Sequence, residues 1–231
     1  MAKQLTQYLD SSKLFPALQS AYRVHHSTET AVLKIQSDIL HALDSGDLAA
    51  LTLLDMSAAF DTVDHETLLH RLKESFGLHG AALRWFSSFV SGRTQFVRCN
   101  ASKSTPTLVL YGVPQGAILS PILFLLYTAD LLRIVERHNL RPHMYADDMQ
   151  IYGFCSPTNT TSLEEQISSC IDEVSVWLRS NRLQLNTAKT EVLWCASSRR
   201  LHHIPKTPLR VGSHRLSPSF QLLSSAISEY I

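Results

Sequence analysis

Asp147 and Asp148 stand side by side between two apolar and aromatic runs, Met144-Tyr145 and Met149-Gln150-Ile151-Tyr152. Neighbouring anions repel unless a cation lies between them. If the flanks pair as a β-hairpin, both carboxylates rise to its tip, where a divalent cation with hard oxygen ligands can take up their charge. The dipeptide alone equally suits a solvated turn. A third acid, Asp55, ends the apolar run 48–54, and Asp61 and Asp64 follow within ten residues in a segment otherwise small or apolar. Such acids need a partner, and a metal is one candidate. Two paired strands would bring Asp55 beside Asp147 and Asp148. Clustered carboxylates with open positions suit Mg²⁺, which keeps waters and accepts phosphate oxygens. Two such ions about 3.5–4 Å apart clamp the attacking and leaving oxygens of a phosphoryl displacement, as polymerases and nucleases require.

The elements that must position these acids come from a chain of 231 residues, long enough for one large domain or two small ones. Hydrophobic residues make up 45% and charged residues 18%, which is too apolar for disorder. No apolar run of about 18 residues occurs, and the N-terminus leads into a polar helix pattern rather than a signal peptide. The expectation is a soluble, intracellular protein, nuclear or cytoplasmic, neither secreted nor membrane-bound. Cys99, Cys155, Cys170 and Cys195 form no C-x-x-C pair and read as reduced, mostly structural thiols. The formal net charge is only +1, but between Arg179 and Arg215 eight basic residues face the single acid Glu191. Such a strip can track phosphates or simply form a solvated surface.

Leu5 and Leu9 suggest a short amphipathic helix near the start. Ser27 can cap a helix running to about Ser45, with Val32, Ile35, Ile39, Ala42 and Leu43 on one face and Gly46 as its stop. The run 48–54 reads as a buried strand. Helices follow from His65 to the stop at Gly77 and from Gly80 to about Ser91, with Asp61 as a candidate cap for the first. Residues 94–99 and 107–111 look like two strands joined by a polar loop. They lead into Gly112-Val113-Pro114-Gln115-Gly116, whose glycines permit positive φ and close approach of a ligand. Ser120-Pro121 should open a helix reaching about Arg137. Ser162 and Glu165 have the capping-box spacing for a further helix. Leu183 and Leu185, a turn at 186–189 and a strand at 190–196 complete the readable part.

These stretches, taken in order, resemble the reverse transcriptase of non-LTR (LINE-type) retrotransposons. The resemblance rests on Tyr22-Arg23 through His26-Ser27-Thr28-Glu29-Thr30-Ala31, on Leu54-Asp55-Met56-Ser57-Ala58-Ala59-Phe60-Asp61, and on Ser91-Gly92-Arg93. It continues in Gly112-Val113-Pro114-Gln115-Gly116-Ala117-Ile118-Leu119-Ser120-Pro121, Tyr145-Ala146-Asp147-Asp148, and Leu185-Asn186 with Lys189-Thr190-Glu191. It implies an α+β right-hand polymerase palm with partial fingers, thumb absent. Residues 1–47 would be a partial fingers segment, 48–196 the palm with interleaved fingers elements, and 197–231 a divergent tail lacking the family's primer-grip element.

By the same resemblance Asp55 and Asp147, with Asp148 assisting, hold two Mg²⁺ ions, with Mn²⁺ as a substitute. They align a DNA primer's 3′-hydroxyl with the α-phosphate of a deoxynucleoside triphosphate on an RNA template. Gly112, Gln115 and Gly116 line the nucleotide and template side, and Phe60 lies beneath the incoming sugar. Lys189 protonates departing pyrophosphate, and Arg23 lies near the triphosphate or template. Phe60 as a core residue and Lys189 as a turn lysine are the plainer alternatives. The competing reading of the whole chain is an inactive, truncated retrotransposon remnant that at most binds nucleic acid or protein. A metal nuclease would share the ions but has no use for a sugar gate or a template loop.

Overall fold

A computed structural model describes residues 1–212, 214–217 and 219–221. Its helices are α1 (Ala2–Ser11), α2 (Thr28–Asp44), α3 (His65–Glu74), α4 (Gly80–Val90), α5 (Leu119–Thr128), α6 (Asp130–Arg137) and α7 (Thr160–Ser180). The strands from the first half are β1 (Leu48–Leu54), β2 (Met56–Ser57), β3 (Thr94–Gln95), β4 (Arg98–Cys99), β5 (Ser102–Lys103) and β6 (Thr107–Leu108). Those from the second are β7 (Arg141–Tyr145), β8 (Asp148–Cys155), β9 (Gln184–Leu185), β10 (Glu191–Cys195), β11 (Leu209–Val211), β12 (His214–Leu216) and β13 (Ser219–Gln221). The expected α+β character holds. Two compact units interleave along the chain: Met1–Phe15, Ala58–Thr128 and Asn181–Leu183 form one, and Pro16–Ser57, Ala129–Ser180 and the chain from Gln184 onward form the other.

The second unit is built on a five-stranded sheet ordered β13-β10-β1-β8-β7. The apolar run 48–54 becomes its central strand because both its faces are covered. On one face α2 lays Ile35 and Ile39 against Ala49, Tyr152 and Cys195; burying each of those isoleucines contributes about 2 kcal/mol. On the other face Gly153 leaves room for Leu140 and for Leu163 of α7, whose side chains a Cβ would meet at 2.7 and 2.8 Å. Ser27 caps α2 by accepting from the Thr30 amide, and the Thr30 hydroxyl accepts from the Ser27 amide in return. Asp38 fixes the helix to the sheet edge: one carboxylate oxygen accepts from Lys34 at 2.6 Å and the Tyr152 hydroxyl at 2.7 Å, with Arg141 at 3.2 Å. Cys155, Cys170 and Cys195 are free, and burial pushes their thiols up to about 11, 12 and 11.

The first unit is mainly helical, with Leu5, Leu9, Leu68, Leu72, Phe86 and α5 contributing to its core. Several local expectations change here and in its partner unit. The cap of α3 is Asp64, which accepts from the Thr67 amide at 2.9 Å, rather than Asp61. Residues 94–111 form two-residue ladders, β3 with β6 and β4 with β5, instead of two longer strands. The single helix expected to Arg137 is divided at Ala129, where the Thr128 hydroxyl bonds back to the Phe124 carbonyl at 3.0 Å, a habit that disturbs helices. Helix α7 begins at Thr160, so Ser162 lies inside its first turn and does not cap it. In the divergent tail, residue 218 and residues 222–231, most of the stretch in which a primer-grip element is expected, lie outside the described residues.

Candidate active site

Pairing of β1 with β8 is antiparallel and continuous from Leu48↔Cys155 to Leu54↔Met149. One step further the same register sets Asp55 opposite Asp148. Asp148 opens β8 and pairs with Tyr145 across a two-residue turn, Ala146-Asp147. The hairpin expected at these acids is therefore present, with Asp147 in the turn and Asp148 on the strand.

On its other side β1 pairs with β10 only as far as Leu53↔Glu191, and pairing resumes at Met56↔Leu185. The intervening segment bulges beside Asp55 and carries Lys189. Asn186 anchors it at both levels. Its backbone amide donates to the Asp55 carbonyl and its side-chain amide to Asp55 Oδ2, both at 2.8 Å. Its own carbonyl accepts from the Lys189 amide at 3.1 Å and the Thr190 hydroxyl at 3.0 Å. Lys189 Nζ then stands 3.8 Å from Asp55 Oδ2.

The electrostatics of this corner are unbalanced. Partial desolvation, then the negative charges of Asp147 and Asp55, raise the Asp148 carboxyl above the usual carboxylate range, against an opposing pull from Lys189. Beside the turn, desolvation followed by the charges of Asp147 and Tyr145 raises the Tyr22 hydroxyl. Among the described residues no three or more His, Cys, Asp or Glu side chains are gathered closely enough to hold a metal ion between them. What the corner offers is the adjacent carboxylates of Asp147 and Asp148 with Asp55 opposite, hard oxygen donors of the kind that suit a divalent cation whose remaining positions are filled by water or other oxygen ligands. A groove of about 470 Å³ opens here between α2 and the half-buried sheet face, lined by Ile35, Leu51 and Leu53 and bounded by Asp55, Asp148 and Lys189.

Arg23 belongs to the same unit. Its Nη1 reaches the carbonyls of Pro16, Ala17 and Gln19 at 3.3–3.4 Å, so part of its donor set steadies the loop before it. In the basic strip, Arg182 pairs with Asp64 at 3.1 Å and Arg210 with Asp172 at 2.6 Å. With Lys189 beside Asp55, at least these three cations of the strip answer acids among the described residues.

The remaining candidates, Phe60, Gly112, Gln115 and Gly116, lie in the helical unit. The half-buried Phe60 ring lies 4.6 Å from Phe124, centroid to centroid, and its carbonyl accepts from the Val113 amide at 2.9 Å. The Gly112 amide donates to the Val63 carbonyl at 2.8 Å. At Gly112, φ is 81° and a Cβ would meet the Asp61 backbone at 2.8–2.9 Å, so only glycine allows this approach. Gly116, at φ 78°, faces open space. Gln115 donates to Asp61 Oδ1 at 2.9 Å. Arg93 donates to the Gly112 carbonyl and, at 3.2 Å, to that of Tyr111, which gives the Ser91-Gly92-Arg93 motif a role in holding the loop.

Asn186 and Arg93 sit inside motifs noted in the sequence, yet their jobs depend on which backbone atoms the fold brings to them. Gln19 carried no periodic or motif signal at all.

A central antiparallel strand ending in an acid, beside a hairpin presenting two more, with helices on both sheet faces, defines a polymerase palm. The sequence profile described as reverse transcriptase (RNA-dependent DNA polymerase) matches residues 1–215. The chain belongs to that family. It is 28% identical over 197 residues to the probable RNA-directed DNA polymerase from transposon BS of Drosophila melanogaster, covering 82% of this chain and 21% of that protein. It is 26% identical over 185 residues to the polymerase from mobile element jockey of Drosophila funebris, covering 77% and 20%. These relatives are non-LTR elements, and the chain spans about a fifth of their length. Among solved structures, apo telomerase from Candida tropicalis, truncated from its C-terminal domain, superposes with TM-score 0.62 at 15% identity, covering 84% of this chain and 40% of that one. Telomerase from Candida albicans, in complex with a fragment of telomeric RNA, gives 0.61 at 15%, covering 94% and 36%. Among the described residues no helix is long and apolar enough to cross a membrane.

Proposed function

We propose that this chain carries the nucleotidyl-transfer centre of an RNA-directed DNA polymerase, extending a DNA primer on an RNA template with deoxynucleoside triphosphates. The observation that carries the reading is the register that sets Asp55 opposite Asp148 with Lys189 Nζ 3.8 Å from Asp55. Asp55, Asp147 and Asp148 are the groups that would hold divalent cations, Mg²⁺ or Mn²⁺. When bound, such ions supply Lewis-acid activation of the primer hydroxyl and neutralise phosphate charge. Asn186 fixes the Asp55 carboxylate by its side-chain bond to Oδ2. Lys189, exposed beside Asp55, would give an Nζ proton to departing pyrophosphate, a role its 3.8 Å distance from Asp55 Oδ2 supports. Phe60 discriminates against a ribose 2′-hydroxyl, main-chain groups of Gln115 and Gly116 meet the nucleotide and template beside the turn at Gly112, and Arg23 lies near the triphosphate or template.

Primer extension on a primed RNA with Mg²⁺ tests the reading. Incorporation by the wild type that vanishes in Asp147→Asn supports it. No incorporation, even in a chain carrying its flanking segments, overturns it. Nucleic-acid binding untouched by Asp147→Asn, without incorporation, would mark a binding module instead. The Phe60 role has its own test: Phe60→Val should admit ribonucleotides, and unchanged discrimination rejects it.

A further inference from the structure

The turn that presents the two hairpin acids is held in a backbone conformation that its own residues do not favour. Ala146 sits at φ 58°, in the left-handed region that two-residue hairpins usually give to glycine or asparagine. A residue in such a turn also leaves its amide and carbonyl without ladder partners, so its peptide groups are free to rotate unless something else binds them.

Gln19 supplies that something. Its Oε1 accepts from the Ala146 amide at 3.2 Å, and its Nε2 donates to the Ala146 carbonyl at 3.3 Å. The same Oε1 accepts from the Ala21 amide at 3.0 Å, so the orientation of the side-chain amide is fixed on both sides. Gln19 is 2% exposed. Residues 18–20 run parallel to the edge of β7, with the Met144 amide donating to the Leu18 carbonyl at 2.9 Å and the Ser20 amide to the Met144 carbonyl at 3.0 Å. Ser20 Oγ meets His143 Nε2 at 3.0 Å. The segment is thus a strap along the outer strand, and its buried amide ends on the turn.

We propose that Gln19 is a positioning residue: by gripping both backbone polar groups of Ala146 it holds the left-handed turn in the one arrangement that presents Asp147 and Asp148 together. This rests on the reading of those acids as a divalent-cation site. A buried glutamine that merely satisfied its own hydrogen bonds would lend stability but would not act through Ala146. The distinguishing consequence is coupling: if residue 146 could take a positive φ without strain, the grip would matter less.

The test uses the full chain and two readouts, Mn²⁺ affinity by electron paramagnetic resonance titration and hydrogen exchange of the Ala146 amide. Gln19→Met keeps the volume of the buried side chain, which safeguards its packing, and removes both bonds to Ala146 along with the one from the Ala21 amide. Its expected effects are an Ala146 amide that loses protection and an Mn²⁺ affinity about 10-fold weaker, the scale of a lost buried hydrogen bond. In the Ala146→Gly background the same replacement should cost no more than about 3-fold, since the turn then carries no strain of its own. Equal losses in both backgrounds, or a lowered unfolding temperature with Mn²⁺ affinity intact, overturn the proposal. A wild type that binds no Mn²⁺ sinks the polymerase reading instead. The grip is then judged by exchange alone: protection lost in Gln19→Met supports it, and protection unchanged overturns it.

Discussion

Asp55 and Asp148 meet because strands distant in sequence share a register; the Asn186 side chain fixes the Asp55 carboxylate, and the Gln19 side chain steadies the backbone of the hairpin turn. The loop from Gly112 to Gly116, in the helical unit, is held differently: it lies directly on the backbone of residues 60–63, and Arg93 grips the carbonyls of Gly112 and of Tyr111 just before it. One arrangement depends on side-chain amides that can be removed without crowding anything. The other depends on atoms that are missing, so an added methyl is the injury. Removing a holding side chain should therefore loosen a site while sparing the fold, whereas filling the gap under the loop should damage the fold itself.

The largest effect follows from that gap. Gly112→Ala brings a Cβ against the Asp61 backbone at positive φ and should lower unfolding free energy by about 3 kcal/mol in urea titration. Lys189→Met sharpens the contrast from the other unit. With a side chain 70% exposed and one ion pair among the described residues, it should leave stability within about 0.5 kcal/mol of wild type while slowing single-turnover primer extension about 100-fold. Asn186→Ala should fall between, costing about 1 kcal/mol of stability and raising the Mg²⁺ concentration needed for half-maximal extension. Gly116→Ala shares the positive φ of Gly112 but meets nothing, so it should cost only about 1 kcal/mol; a loss equal to that of Gly112→Ala would erase the distinction between strain and crowding.

The smallest effect concerns Asp38. Burial alone would raise its carboxyl, but hydrogen bonds from Lys34 and Tyr152 and the charges of Lys34 and Arg141 hold it below the usual carboxylate range. Its stabilising contribution is then present above the unfolded carboxylate pKa of about 3.9 and is lost as pH falls through the lower folded value. The stability difference between wild type and Asp38→Asn should be flat from about pH 5 to 8 and shrink below about pH 4.

The parts of the fold that could be read from sequence are those where local chemistry and burial agree. The run 48–54 is apolar on both faces and is the central strand; Ser27 precedes an apolar stripe and caps α2. The failures have physical causes. Residues 94–99 and 107–108 are all exposed, so no buried face fixes a register and the longer strands dissolve into short ladders. Asp61 and Asp64 are both plausible caps, and the short turn at 59–61 gives that job to Asp64. The helix divides at Ala129 because the Thr128 hydroxyl bonds back to the Phe124 carbonyl, and a lone threonine in an apolar helix does not announce whether its hydroxyl will do so. At the site, the acids and Lys189 were legible as a motif. Gln19 was not, because a buried amide gripping a turn more than a hundred residues away leaves no local pattern.

The position of β1 in the chain has a cost during synthesis. Both strands that flank it, β8 and β10, are encoded far downstream, after the whole of residues 58–128. At about 5–20 residues per second, β1 leaves the ribosome roughly 5–20 s before β8 exists to cover either of its edges. During that interval an apolar strand with two open edges is a template for self-association. Yield of the soluble chain should therefore respond to translation speed and to chaperones that bind extended apolar segments, more than the stability of the finished sheet would suggest.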